Sequence, residues 1–154
     1  MNALHWYLLL HITGFTLMAG TIAADFAINR RVGKYLLNDR IKAMSMLESA
    51  AAFPALVGIG GILLLTTGIG MVVVFKGVVA HMLWFRIKMI LVVLVVLIGS
   101  LVLRRQASRL KVLLTDGKNG GNSQVLALSR TMSIFHVIEL LLFLLIFILS
   151  VFQF

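Results

Sequence analysis

The sequence predicts an all-α integral membrane protein, a four-helix bundle with its N and C termini on the non-cytoplasmic side, and three observations predict it. First, 61% of the 154 residues are hydrophobic and only 12% are charged, with a mean hydropathy of +1.08, whereas soluble domains carry about 25% charged residues. Second, four apolar runs, at about 4–27, 50–75, 80–103 and 131–152, each reach the roughly 20 residues needed to cross a hydrocarbon core. Helices are required there, because each segment must satisfy its own backbone polar groups in lipid. Third, the net charge of +9 is unevenly placed. Arg30, Arg31, Lys34, Arg40 and Lys42 fall between spans one and two, and Arg104, Arg105, Arg109, Lys111, Lys118 and Arg130 between spans three and four, against Lys76 alone between spans two and three. By the positive-inside rule the first and third loops face the cytoplasm. The basic charge thus reads as topology and contact with anionic membrane lipids, not as a nucleic-acid footprint. Little chain is left to build a soluble domain, so 1–154 is expected to be a single transmembrane domain, multi-pass in the cell inner membrane.

The first span has no basic residue before it and no small-residue cleavage site after it, and is expected to be a retained helix, not a signal peptide. About twenty polar residues should join it to span two, where Pro54 suits a first helical turn. Gly58, Gly60, Gly61, Gly68 and Gly70 give span two either a close-packing face or room for a flat ligand. The stretch from Arg104 to Arg130 holds Asp116, Gly117, Lys118, Asn119, Gly120, Gly121 and Asn122, a turn-rich loop. No internal repeat is evident. The absence of cysteine excludes disulfides, thiolate metal sites and thiol redox chemistry.

Polar residues inside the spans carry the chemistry. Lys88 stands among Trp84, Phe85, Ile87 and Met89 to Val93, and an ammonium at bilayer depth costs roughly 2.5 to 3.5 kcal/mol, which makes it a functional-site candidate in search of a partner. His11 is that partner by depth. Each lies about 10 to 12 Å below the outer boundary. On span three Lys88, Trp84 and His81 are spaced to share a face, as are Tyr7, His11, Phe15, Met18 and Asp25 on span one. Arg86 is turned about 200° from Lys88 and should snorkel to the boundary. A neutral imidazole in an apolar bundle is a common haem-iron ligand, so His11 is a candidate ligand; the plainer alternative is a bond to a neighbouring carbonyl or to Tyr7. Lys88 suits a second axial ligand, a cation facing propionates or an acidic substrate, or a snorkelling side chain. His5 and His81 lie near the outer interface.

His136 and Glu139 form a second set in the opposite half, three residues apart on span four. They suit a proton path or second ligand site, or else a salt bridge between them or to a basic loop residue. Asp25 and Glu48 flank spans one and two on the same side. His136 and His11 should differ in depth by roughly 12 Å, too far to share one iron.

The run Leu8, Leu9, Leu10, His11, Ile12, then Met18, Ala19, Gly20, together with Trp84, Phe85, Arg86, Ile87, Lys88 and Leu91, Val92, Val93, resembles the HemJ family of membrane protoporphyrinogen oxidases. Glu48 followed by Pro54 and a Gly-rich second span fits the same layout. The resemblance implies a bound haem b, a functional His at His11, a functional Lys at Lys88 and oxidation of a tetrapyrrole. The chain differs from that pattern at Leu17, where the family has Trp, at Ala24, Asp25 and Phe26, where it has a Pro and Arg segment, and near Gly99, where it has a further His.

The sequence is therefore expected to encode a haem b-binding membrane oxidoreductase of the protoporphyrinogen oxidase type, with electrons passed to a membrane quinone. His11 would ligate the haem iron, Lys88 would act with it in catalysis, and Trp84 and Arg86 would join Lys88 in cofactor and carboxylate binding. Expected partners are membrane lipids, quinone and a porphyrinogen, with room for a second copy in a homo-oligomer. Two other classes remain. One is a CopD-like metal transporter using His5, His81, Met82, Met71 and Met89 as ligands. The other is a non-enzymatic membrane accessory subunit whose polar residues meet a partner.

Overall fold

A computed structural model describes residues 3–36, 38–115 and 122–152 of the chain. They are almost wholly helical, with no strand among the described residues. Four stretches, Ala3–Tyr35, Arg40–Val74, Leu83–Leu113 and Ser123–Phe152, are long and apolar enough to cross a membrane. The chain is thus a multi-pass membrane protein by length and composition, and its outward faces suit contact with lipid: Ile62, Ile69, Leu83 and Leu141 are all more than half exposed. Hydroxyls on these helices bond back to the preceding turn, as Thr13 does to the Leu9 carbonyl and Thr66 to that of Ile62, which satisfies them without water.

Helix α1 (Ala3–Tyr35) runs beyond the expected end near residue 27. Its inward stripe continues through Asn29, Val32 and Leu36, all buried, so tertiary packing extends the helix past the apolar run. The segment expected to be a polar loop is mostly helix α2 (Arg40–Ser49), whose first turn is capped by the Asp39 carboxylate accepting from the Lys42 amide at 3.0 Å. Ala43 is buried there against Val32 and Leu36, with Met44, Met46 and Leu47 packed around them. Helix α3 (Phe53–Val74) has Pro54 in its first turn, as expected. It closes with the Lys76 amide on the Val73 carbonyl and that of Gly77 on Val72, a Schellman arrangement that puts Lys76 at φ 51° and Gly77 at φ 78°.

A short 3₁₀ turn, Val78–His81, precedes α4 (Leu83–Leu97), so the third long helix starts later than residue 80. It does not end at 103. A π-helical stretch, Ile98–Leu103, leads directly into α5 (Arg104–Thr115), and α6 (Asn122–Phe152) starts well before 131. Much of the expected third loop is therefore helical; Asp116 to Gly121 lie outside the described residues. Gln, Ala, Ser, Leu and Lys in 106–111 are ordinary helix formers, and Leu110 supplies a fully buried anchor.

The tightest helix pair is α1 with α3. A Cβ at Gly60 would lie 2.9 Å from the Gly14 carbonyl oxygen and one at Gly14 3.0 Å from that of Gly60, so both glycines permit direct backbone approach. Farther along, the Tyr7 ring fills the space a Cβ at Gly70 would need. The glycine-rich face thus serves close packing at these positions, while Gly58 faces open space. Helix α1 meets α6 through Phe15, whose ring is 5.6 Å from Phe143 edge-on and 6.0 Å from Phe147 stacked.

Two apolar layers hold the bundle. One gathers Met18, Ile22, Leu91, Val95, Phe143 and Ile146, with Val57 and Leu64 of α3 packed against it. The other, toward the basic end, gathers Val32, Leu36, Ala43, Leu103, Leu110, Val125 and Met132. Along α6 the buried residues are Val125, Ser129, Met132, His136, Glu139, Phe143 and Ile146. Their spacing alternates four and three, the seam of left-handed helix packing.

Candidate functional site

Polar side chains occupy two levels of the bundle. The first is built on the α1–α3 contact. His11 Nδ1 lies 2.9 Å from Thr67 Oγ1. The Thr67 hydroxyl is itself 2.5 Å from the Leu63 carbonyl, to which it donates, so toward His11 it presents lone pairs. The His11 proton therefore sits on Nδ1, and Nε2, which forms no hydrogen bond among the described residues, carries the free lone pair. Gly68 sits against the ring: a Cβ there would come 3.5 Å from His11 Cε1. Thr67 and the neighbouring Leu64 carbonyl, both on α3, are the groups that orient this imidazole.

Lys88 is half-buried on α4, one turn beyond half-buried Trp84. Its ammonium is close enough to act electrostatically on the His11 ring. Among the described residues it has no hydrogen bond and no ion-pair partner. This level therefore pairs an imidazole with an open nitrogen and a cation lacking an anion. Trp84 packs edge-on to Phe85 at 6.0 Å and donates its indole N–H to Met82 Sδ at 3.2 Å. Arg86 is exposed, on another face from Lys88. His81 does not continue the Lys88–Trp84 face, because it belongs to the 3₁₀ turn before α4; it is exposed, as is His5. Among the described residues no group of three or more His, Asp or Glu side chains is arranged to hold a metal ion.

The second level lies between the two apolar layers. His136 is 1% exposed and Glu139 2%. His136 Nδ1 is 2.8 Å from the Met132 carbonyl and Nε2 is 3.0 Å from Asp25 Oδ2. Sequence spacing offers a salt bridge from Glu139 to His136 or to a basic loop residue. The direct partner of His136 is Asp25, which faces α6 because α1 continues well past it. Glu139 interacts electrostatically with His136 and Asp25 but forms no hydrogen bond among the described residues. One of its oxygens occupies the space beside Gly99, 3.0 Å from where a Cβ would be. One turn nearer the basic end, Asn29 donates to Ser133 Oγ at 3.1 Å, and its own Oδ1 is buried with no partner among the described residues.

The sequence reading places Asp25 on the His11 face at the end of span one, but does not pair it with His136, although a signal for that role exists. Asp25 and Asn29 on α1, and Ser129, Ser133 and His136 on α6, each follow a helical repeat, so both helices carry a polar stripe on the buried seam. His11 and His136 stand farther apart than the roughly 12 Å expected. Asp25, at the level of His136, is fourteen residues along α1 from His11, or about 21 Å at the α-helical rise. The two histidines cannot share one ligand. No family model, curated protein or solved structure matches the chain.

Proposed function

We propose that the chain is a haem b-binding oxidoreductase of the cell inner membrane, HemJ-like in acting on a porphyrinogen with a membrane quinone as electron acceptor, its basic loops cytoplasmic and both termini on the opposite side. The observation that carries the proposal is the contact of His11 Nδ1 with the Thr67 hydroxyl, itself bonded to the Leu63 carbonyl. A histidine that ligates iron commonly donates its other ring N–H to a neighbour that fixes its orientation, and the Thr67 hydroxyl, locked by the Leu63 carbonyl, does this for His11. The donor chemistry therefore fits a haem iron at Nε2. Bound haem b supplies one-electron redox chemistry.

The chain's own residues do the rest. Lys88, a half-buried cation without an anion among the described residues, neutralises a carboxylate, whether a haem propionate or an acid group of the substrate. Trp84, on the same side of α4 one turn away, offers a flat apolar wall. Arg86 is exposed and meets carboxylates or headgroups at the boundary. The apolar layer around Phe15, Met18 and Leu91 closes the site off from the other half of the bundle and excludes water. Membrane lipids surround the helices, and a homo-oligomer would form through their exposed apolar faces.

The test is oxidation of protoporphyrinogen by the haem-supplemented protein in quinone-containing liposomes. Wild type should turn over, while His11→Ala and Lys88→Ala should not. Turnover unchanged in both variants would remove His11 and Lys88 from the chemistry.

A further inference from the structure

The level of His136 contains more polar chemistry than packing requires. On α6 the buried seam reads Met132, His136, Glu139, Phe143, so the two polar residues take positions that neighbouring turns fill with apolar side chains. Apolar layers close the level on both sides. Asp25, whose side chain is 40% exposed, is its contact with the outside, while His136 and Glu139 are both enclosed. The acceptors around His136 are a backbone carbonyl and a carboxylate. Both ring nitrogens therefore donate when Asp25 is ionised, and the imidazolium and carboxylate cancel.

Among the described residues no donor reaches Glu139, and a buried carboxylate so placed is costly, which favours the neutral acid. The remaining elements bring no further charge to it among the described residues: Gly99 of the π stretch touches it, Phe26 lies 6.4 Å from the His136 ring, and Arg30 is exposed with its guanidinium over Phe26. The electrostatic partners acting on Glu139 are His136 and Asp25. The unpartnered Oδ1 of Asn29 adds a buried acceptor next to Asp25 on the side of the basic end.

We propose that Asp25, His136 and Glu139 form a proton-loading site, in which Glu139 holds an exchangeable proton inside the bundle and the Asp25–His136 pair connects it to the exposed side of α1. When Glu139 releases its proton, the carboxylate left behind faces the His136 imidazolium. The Nε2 proton of the His136 imidazolium passes first to Asp25 and out of the bundle, the neutral ring then takes the Glu139 proton, and reloading reverses the sequence. Only a proton moves, so no oxidant or reductant is involved, and the site does not depend on any group bound at His11.

The chain has two glutamates, Glu48 and Glu139, and four histidines, which makes isotope labelling decisive. Wild-type protein in lipid nanodiscs, labelled with ¹³C-glutamate, should show at neutral pH a carboxylic-acid C=O infrared band that moves with the label and is missing in Glu139→Gln. Histidine ¹⁵N NMR should show one histidine, lost in His136→Gln, with both nitrogens protonated. On transfer to D₂O the Glu139 band should shift, and in Asp25→Asn that exchange should slow by on the order of tenfold or more. Absence of the acid band from wild type overturns the proposal, as does exchange that is equally fast in Asp25→Asn. The wild-type band is decisive even where a variant fails to fold.

Discussion

His11 and His136 are both held at helix interfaces by a ring nitrogen bonded to an oxygen, but they differ in what the other nitrogen meets. At His11 the hydroxyl of Thr67 takes Nδ1, and among the described residues Nε2 has no hydrogen bond, in a half-buried setting with Lys88 nearby. At His136 both nitrogens are engaged, by Met132 and Asp25, and the ring is 1% exposed. The first arrangement leaves donor capacity for a ligand, and the second uses it internally. One histidine is thereby suited to binding and the other to holding charge inside the fold. The apolar layer of Met18, Ile22, Leu91 and Phe143 separates them, so variants at one level should leave the other intact.

Removing the ring at each level should expose the contrast most strongly. His136→Ala leaves the Asp25 carboxylate without its cation and a cavity beside Glu139, and should destabilise the bundle by about 3 kcal/mol, whereas His11→Ala loses one hydrogen bond and should cost about 1 kcal/mol. Reversible unfolding in detergent measures both, and equal losses would erase the distinction. Gly60→Ala comes next. Its Cβ would meet the Gly14 carbonyl oxygen at 2.9 Å, so α1 and α3 must part at a cost of about 1 to 3 kcal/mol. The same displacement should separate Thr67 from His11 and weaken haem binding while the His136 NMR signal stays in place.

Thr67→Val is a finer probe. It removes the acceptor that fixes His11 Nδ1–H and should lower haem affinity about 10- to 100-fold, measured by haem titration, with a small change in unfolding. The smallest effect is expected outside both levels. Lys76 stands in the left-handed region at φ 51°, so Lys76→Gly should stabilise the protein by up to about 1 kcal/mol, seen as a higher unfolding midpoint with unaltered haem binding.

Hydropathy revealed the four spans because membrane thickness dictates apolar length. It could not reveal where helices stop, since Val32, Leu36 and Leu110 extend the buried stripes into basic, low-hydropathy segments. The burial of His136 and Glu139 was legible in their seam spacing on α6. The partnership of Asp25 with His136 was not, because it depends on how α1 is rotated and shifted against α6. Nor was the bond from His11 to Thr67, which requires the register that the Gly14–Gly60 contact sets between α1 and α3. Lys88 and Trp84 share a side of α4 as spacing indicated, but His81 does not, since helical phase cannot be extrapolated through the 3₁₀ turn that contains it.

The most direct measurement is the absorption spectrum of the purified, haem-supplemented protein, oxidised and then reduced with dithionite, for wild type, His11→Ala and His136→Ala. The reduced bands of haem b are expected in wild type and in folded His136→Ala, with their loss in His11→Ala. A colourless wild-type protein, or haem bands that survive His11→Ala unchanged, would contradict it.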